Sequence, residues 1–199
     1  MCVFLCTFAT AMSNDIMHFV DVLSEGGTLL YPTDTIWGIG CDATNAAAVE
    51  KIYSIKKRDH SKSMLILCED VAMVERFVSP VGDAVRSLLL NGERPTTVIM
   101  PLAQNGLACN LAAADGTIGV RIPRMDFCQS LLHALGRPIV STSANLSGRP
   151  SPSCFSDIDA SVKESVDCCV PAVFEVAKGA ASSRIVKLQP DGTVAVIRP

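Results

Sequence analysis

The stretch Pro-Ile-Val-Ser-Thr-Ser-Ala-Asn-Leu-Ser-Gly-Arg-Pro-Ser, residues 138–151, joins a short apolar run to a cluster of hydroxyl groups, one amide and several glycine or proline breaks. This change of character predicts a strand over 138–140 that ends in a polar loop over 141–151. Ligands of open α/β sheets bind just outside the ends of the strands, so the loop is a candidate binding element. A Ser/Pro/Gly connector has a similar composition. The other polar clusters of the chain therefore decide between the two interpretations.

Outward from this stretch, apolar spacing predicts helices and strands that alternate irregularly. Strands are predicted at 28–31, 64–68, 96–100, 117–122, 138–140, near 172–176, at 184–188 and at 193–197. Helices are predicted after caps at 13–14 and 44–45, near 70–77 and 81–91, before Gly136, and at 157–165. The order favours an α/β (α+β) fold with a mixed sheet flanked by helices. We expect one domain over 14–199 after a tail over 1–13, with Met12 as an alternative start.

Composition limits the classes of function. The 199 residues are 49% hydrophobic and carry a net charge of −3, which predicts one sizeable core and no global attraction to nucleic acid. The nine cysteines include no C-x-x-C pair, so we expect small buried thiols in a reducing cytoplasm rather than a zinc site. The chain has neither a phosphate-binding P-loop, nor a dinucleotide fingerprint, nor a G-x-S-x-G elbow. No apolar run is long enough to predict a membrane helix.

Polar clusters lie after or beside several predicted strands. Thr33-Asp34-Thr35 follows Tyr31-Pro32, and Gly38 and Gly40 would let the backbone approach a bound group closely. The basic group at 56–62 could hold a polyphosphate or could be a solvated helix end. Arg121, inside an apolar strand, needs an anionic partner, which is either an internal carboxylate or a substrate carboxylate.

Four motifs in this order resemble the YrdC/Sua5 family of threonylcarbamoyl-AMP synthases. They are Tyr-Pro-Thr-Asp-Thr-Ile-Trp-Gly-Ile-Gly-Cys-Asp-Ala at 31–43, Lys-x-Arg at 56–58, Thr-Ile-Gly-Val-Arg-Ile-Pro at 117–123 and Ser-Thr-Ser-Ala-Asn-Leu-Ser-Gly at 141–148. The closing Val-Ile-Arg-Pro at 196–199 resembles the last strand of the family. The resemblance extends from about residue 14 to residue 199 and is of the short, bacterial type.

The resemblance implies a twisted sheet with a concave, positively lined cavity and a two-stage reaction. The amine of L-threonine would capture bicarbonate or CO2 as a carbamate, which would then attack the α-phosphorus of ATP and release pyrophosphate. ATP would be a substrate that brings Mg²⁺ with it, and no metal site of the protein is expected. The product would pass to a threonylcarbamoyl transferase complex that modifies tRNA, and contact with tRNA or double-stranded RNA stays open.

Residues that match the family motifs are carried over one by one. The resemblance implies a threonine-binding set of Thr35, Arg121, Ser141 and Ser183. It implies an ATP-binding set of Lys56, Arg58, Lys62, Thr117, Ser143, Asn145, Ser151 and Arg198. No acid or base catalyst is implied, because a carbamate is already a nucleophile.

The chain departs from the family pattern at a few positions. Arg184 and Lys187 stand where the family usually has Thr and Asp, and Lys62 and Leu67 stand where its long members tend to have Asn and His. The altered loop keeps open a paralogue of the family with another substrate. A second alternative is an RNA-binding or ribosome-maturation module of the same fold that uses the same basic cavity. The acidic balance and the 5% aromatic content argue against the RNA-binding module.

Overall fold

A single mixed sheet organises the protein, for which a computed structural model describes residues 15–78, 80–103, 106–175 and 181–199. The strands are β1 (Leu29–Tyr31), β2 (Gly38–Gly40), β3 (Leu65–Leu67), β4 (Thr96–Pro101), β5 (Thr117–Arg121), β6 (Ile139–Ser143), β7 (Cys168–Cys169), β8 (Arg184–Leu188) and β9 (Val194–Arg198). The helices are α1 (15–24), α2 (Ala46–Lys56), α3 (Val71–Phe77), α4 (Asp83–Asn91), α5 (Asp126–Leu135) and α6 (Ala160–Ser165).

The strand order across the sheet is β7-β1-β2-β6-β3-β5-β4-β8-β9. Strands β1 and β7, β3 and β5, and β4 and β8 run parallel, whereas the other neighbours are antiparallel. The predicted mixed α/β class is thereby confirmed. Strand β6, the fourth in this order, joins the part of the sheet with β7, β1 and β2 to the rest, because it pairs with β2 on one side and with β3 on the other.

The helix ends follow the chemistry of their caps. The side chain of Asn45 accepts the backbone N–H groups of Ala47 and Ala48 and starts α2, and Gly136 ends α5 in the left-handed region at φ 66°. Both ends agree with the sequence prediction. The cap predicted at 13–14 lies outside the described residues. No described helix has the length and the apolar character that crossing a bilayer requires.

Alternating side chains place one apolar core on each face of the sheet. On β3, Ile66 points into a core that includes α2 and α3, whereas Leu67 points into a smaller core formed with α1 and α5. Leu65 shares the face of Leu67, and its cross-strand partner Ser141 shares the face of Ile139. The face that carries α1 and α5 therefore also carries Leu65 and Ser141.

Three predicted elements needed correction. Strand β6 continues to Ser143 instead of ending at Val140, because Ser141 pairs with Leu65 and Ser143 pairs with Gly38. The strand predicted near 172–176 is wrong over its described residues: residues 172–174 form a single 3-10 turn, and the strand lies earlier, at β7. Residue 176 lies outside the described residues. Pro171 has no N–H group to donate and separates the two elements. The helix predicted at 157–165 begins only at 160 and follows another 3-10 turn, at 155–157.

The cysteines follow the prediction only in part. Cys41, Cys68 and Cys128 are buried free thiols, as expected for small apolar side chains, and burial raises the pKa of each. Cys109 and Cys169, however, are exposed. Cys2 and Cys6 lie outside the described residues.

The glycines of β2 serve strand packing. The prediction that Gly40 gives access to a bound group is wrong, since this glycine lies inside the sheet between β1 and β6. A Cβ atom at residue 40 would lie 2.3 Å from the carbonyl oxygen of Val140 and 2.7 Å from the Tyr31 ring. Gly38 does line the ligand-sized cavity described below.

Gly40→Ala should therefore destabilise the protein strongly. The added methyl group meets backbone on one side and a buried ring on the other, so we expect the free energy of unfolding to fall by about 3 kcal/mol. Chemical denaturation of the two proteins measures this change. Gly82→Ala is the matched control, because a Cβ atom there has no neighbour within 4 Å. Equal losses of stability in the two variants would contradict the packing argument.

Candidate functional site

A cavity of about 250 Å³ opens on the face of the sheet that also carries α1 and α5. Its floor is formed by alternate residues of neighbouring strands, among them Leu65, Thr97, Gly119 and Ser141. Its walls come from the loop after β1 and from the segment before β8. Hydroxyl groups and arginines dominate the lining, so the cavity suits a polar, anionic ligand.

The cavity brings together most of the residues that the sequence predicted. Eight of them line it: Thr35, Arg58, Arg121, Ser141, Ser143, Ser151, Ser183 and Arg198. Four predicted residues, Lys56, Lys62, Thr117 and Asn145, are not among its lining residues. The three arginines of the first set come from three distant parts of the chain, and the fold alone makes them neighbours.

Arg121 is the buried cation of the cavity. Its side chain is 4% exposed, its Nη1 donates to Thr35 Oγ1 at 2.8 Å, and its Nη2 lies 3.5 Å from Asp34 Oδ1. Among the described residues, its Nε has no hydrogen-bond partner. An internal carboxylate is thus close to Arg121 but leaves part of its donor capacity unused. A buried unpaired donor of this kind is costly unless a ligand accepts it.

Arg58 reaches the cavity from the end of α2. Lys57 ends the helix in the left-handed conformation, with φ at 48°, and Arg58 continues the turn by donating its backbone N–H to Tyr53. The guanidinium then donates to the carbonyl oxygens of Lys62 at 2.9 Å and Ser63 at 2.8 Å. These bonds fix one edge of the guanidinium group at the cavity wall. Burial lowers the pKa of Arg58.

Lys56, by contrast, lies behind the wall and supports it. Its ammonium group is buried and donates to the carbonyl oxygens of Ser143 and Asn145 and to Asn145 Oδ1. Burial, and next the charge of Arg58, lower the pKa of Lys56 to about 7, while the three oxygen acceptors favour the ammonium form. Its own carbonyl oxygen accepts the N–H of Ser147. Lys56 thus holds the turn after β6 in place.

The last strand closes the cavity. Arg198 donates from Nε and Nη2 to the carbonyl oxygen of Ser183, at 3.0 and 2.7 Å. The hydroxyl of Ser183 lies 2.9 Å from that of Thr97 on the neighbouring strand. Burial and the nearby charge of Arg121 lower the pKa of Arg198. The cavity therefore holds like charges close together, and an anion would relieve their repulsion.

Lys62 and Thr117 lie away from the cavity lining. Lys62 is exposed. Thr117 begins β5, and its hydroxyl donates to Asp115 at 2.6 Å. Asp115 also accepts the ammonium of Lys187 at 2.7 Å, which explains how the chain accommodates a lysine at this position. Hydrogen bonds from Lys187, and next from Thr117, lower the pKa of Asp115 to about 2.

Lys187→Met should raise the pKa of Asp115 toward its ordinary value, because the largest cause of the lowering is removed. Carboxyl NMR titration measures this pKa. Asp191 is the internal control, since Thr193 binds it in the same way as Thr117 binds Asp115. The pKa of Asp191 should stay where it is. An unchanged Asp115 pKa in the variant would contradict the assigned pair.

Several lining residues are absent from the predicted threonine and ATP sets, among them three polar or aromatic ones: Thr33, Trp37 and Thr97. Thr33 and Trp37 lie inside the first motif, and Thr97 lies on a strand whose neighbour is known only from the fold. The indole of Trp37 donates to Glu175 at 2.7 Å and packs on Phe155 with ring centroids 4.9 Å apart. The motif position alone could have suggested Thr33 and Trp37, whereas no sequence signal indicated Thr97.

The described residues supply no metal centre of their own. Within the described ranges, no three His, Cys, Asp or Glu side chains lie close enough together to hold an ion. The chemistry of the cavity is that of guanidinium and hydroxyl groups, which bind and orient anions.

Comparison with known proteins gives a consistent result. The family model Sua5_yciO_yrdC, described as "Telomere recombination", matches residues 21–199. A curated protein of Xanthomonas axonopodis pv. citri, named threonylcarbamoyl-AMP synthase, is 32% identical over 158 residues, which are 77% of this chain and 83% of that protein.

Two solved structures share the fold. YciO of E. coli has a TM-score of 0.80 and 26% identity, and the match covers 94% of this chain and 89% of that one. The Sua5 protein of P. abyssi, solved in complex with L-threonine, has a TM-score of 0.80 and 21% identity. That match covers 94% of this chain but 54% of the P. abyssi chain, so this chain spans about half the length of that relative.

Proposed function

The chain belongs to the Sua5/YciO/YrdC family, and on that basis we propose that it is a threonylcarbamoyl-AMP synthase. In this proposal it is a nucleotidyltransferase that joins L-threonine, bicarbonate or CO2, and ATP into threonylcarbamoyl-AMP and releases pyrophosphate. The observation that carries the proposal is the buried Arg121, whose Nε has no partner in the described part of the chain, in one cavity with Arg58 and Arg198. Such a site can bind two anionic substrates side by side.

The threonine half of the site would be built around Arg121. The fork of its guanidinium group, with an Nε that no described residue binds, suits a carboxylate, with which arginine forms charge-assisted bonds. Thr35, Ser141 and Ser183 add hydroxyl groups around the same cavity. The structure of a relative with L-threonine supports this choice of ligand for a protein of the same fold.

The ATP half would lie toward Arg58 and the turn after β6. Arg58, Ser143, Ser151 and Arg198 line the cavity and can offer donors to phosphate oxygens. Lys56 and Asn145 would act by shaping this turn, while Lys62 and Thr117 would have to reach the nucleotide from outside the lining. Mg²⁺ would be bound mainly by the triphosphate and would offset its charge, since the described residues present no cluster of metal ligands.

The chemistry needs positioning more than acid or base catalysis. The neutral threonine nitrogen forms a bond to the carbon of CO2 while one C=O π bond opens onto oxygen, and the nitrogen loses a proton to solvent, which gives a carbamate. A carbamate oxygen then bonds to the α-phosphorus, and the bond to the bridging oxygen of pyrophosphate breaks. The guanidinium groups offset the repulsion between the two anions and the charge that grows on pyrophosphate. Holding the reactants together can supply about 7 kcal/mol of the rate enhancement.

The proposal extends to the fate of the product. Threonylcarbamoyl-AMP would be consumed by a separate threonylcarbamoyl transferase complex that modifies tRNA, in the cytoplasm. An RNA-binding role is less well supported, because the net charge is −3 and aromatic side chains, which would stack on bases, make up 5% of the residues. A paralogue with another substrate would keep the cavity but would not respond to threonine.

Pyrophosphate release tests the proposal. The purified protein is incubated with ATP, Mg²⁺ and bicarbonate, with and without L-threonine, and pyrophosphate is measured. We expect release that requires both threonine and bicarbonate, with threonylcarbamoyl-AMP as the second product. Release that is indifferent to threonine would indicate the paralogue, and no release together with RNA binding would indicate the binding module.

A further inference from the structure

Two threonine hydroxyls in the wall of the cavity form a short chain of hydrogen bonds. Thr33 Oγ1 lies 2.8 Å from the carbonyl oxygen of Ile36 and 2.8 Å from Thr35 Oγ1, and it accepts the backbone N–H of Thr35 at 3.1 Å. Thr35 Oγ1 in turn accepts Nη1 of Arg121 at 2.8 Å. Both threonines are buried and both line the cavity.

One placement of the protons satisfies all of these contacts. A carbonyl oxygen cannot donate, so the single hydroxyl proton of Thr33 must point at Ile36. The contact between the two hydroxyls then needs the proton of Thr35, which points at Thr33. Arg121 donates its own proton to Thr35. The proton of Thr35 is thus directed away from Arg121 and used within the protein.

The Thr35 hydroxyl oxygen can still accept one hydrogen bond from a ligand. A hydroxyl oxygen has two acceptor sites, and Arg121 occupies one of them. The remaining site lies next to the guanidinium group that would bind a carboxylate. An α-amino acid carries an N–H donor two bonds from its carboxylate, which matches an acceptor placed beside a cation.

We propose that Thr33 is a positioning residue that fixes the Thr35 hydroxyl as a hydrogen-bond acceptor toward the cavity, so that the site selects ligands with an amino group beside the carboxylate. The inference rests on the proposed function for the identity of that ligand, L-threonine. Without the Thr33 hydroxyl, the proton of Thr35 loses its acceptor and can turn into the cavity. The Thr35 hydroxyl would then present its proton to the N–H groups of the ligand, where its oxygen had accepted from them.

Calorimetric binding of two small molecules tests the inference. The probes are L-threonine and 3-hydroxybutyrate, which is threonine without its amino group. For Thr33→Val we expect the Kd of threonine to rise about tenfold, the loss of one good hydrogen bond, while the Kd of 3-hydroxybutyrate changes by less than about threefold. Thr33→Ser keeps the hydroxyl and should keep the wild-type preference for threonine.

A double-mutant cycle separates positioning from a general effect on the fold. If Thr33 acts through Thr35, Thr33→Val should have no further effect on the preference in a Thr35→Val background. Equal weakening of both probes by Thr33→Val, or a loss of preference in Thr33→Ser, would overturn the inference. A wild-type protein that binds no threonine would instead refute the proposed function, and the inference would fail with it.

Discussion

Arg121→Met should impair the use of threonine in pyrophosphate release far more than the use of ATP. We expect the KM for threonine to rise at least about 100-fold, because a buried charge-assisted contact to a carboxylate is lost, and the KM for ATP to change by less than about threefold. Initial rates at varied threonine and at varied ATP give the two constants. The contrast between them follows from the position of Arg121, which contacts Thr35 and Asp34 at one side of the cavity.

The same substitution also leaves a carboxylate without its cation. Asp34 is 8% exposed at its side chain, and removing its neighbouring charge should cost several kcal/mol of stability. The matched control is Asp34→Asn combined with Arg121→Met, which removes both charges and should restore the fold without restoring threonine use. Arg121→Lys keeps the positive charge but loses the paired N–H donors of the guanidinium group, so it should protect the fold more than threonine binding. A normal threonine KM in the double variant would refute the assignment of Arg121 to the carboxylate.

Arg58→Gln should chiefly impair the use of ATP. Glutamine can still donate to the carbonyl oxygens of Lys62 and Ser63, which Arg58 now binds, so the loop is kept while the charge is lost. We expect the KM for ATP to rise about 10- to 100-fold, the usual cost of one phosphate contact. The KM for threonine should change by less than about threefold. Steady-state kinetics with each substrate in turn provide the measurement.

Lys62→Gln is the matched control for charge. It removes one positive charge from the same loop, but Lys62 is exposed and does not line the cavity. Its effect on the KM for ATP should be smaller than that of Arg58→Gln. A larger effect would restore the phosphate contact that the family resemblance assigns to Lys62 and would move the ATP site outward.

Local patterns predicted most of the fold because local rules determine most of it. Asn45 and Gly136 mark helix ends through their own hydrogen bonds and backbone freedom, so the sequence was enough to find them. Strand β2 was missed because a Gly-Ile-Gly strand has almost no strand propensity, and only its two neighbours stabilise it. The polar strand end at Ser141–Ser143 was read as loop for the same reason.

The resemblance to the family predicted which residues form the candidate site, but it did not predict the hydrogen bonds among them. The motifs predicted that Thr35 and Arg121 bind the same ligand, and in the fold both residues line one cavity. No local signal shows that Lys56 turns away from the cavity toward the carbonyl of Asn145, or that Thr97 meets Ser183, because these contacts join residues 86 to 89 positions apart. Such pairs are fixed by strand register, which a single sequence does not state.

Ligand binding should depend on β8 and β9 having joined the sheet. The cavity joins Thr33 to Arg198, and β8 enters the sheet beside β4, far from it in sequence. Contacts of such long separation form late in folding. A nascent chain whose β9 is still inside the ribosome should therefore not bind threonine. Because the cavity draws on strands from the whole sheet, bound substrate should raise the free energy of global unfolding. It should not merely slow the opening of one loop.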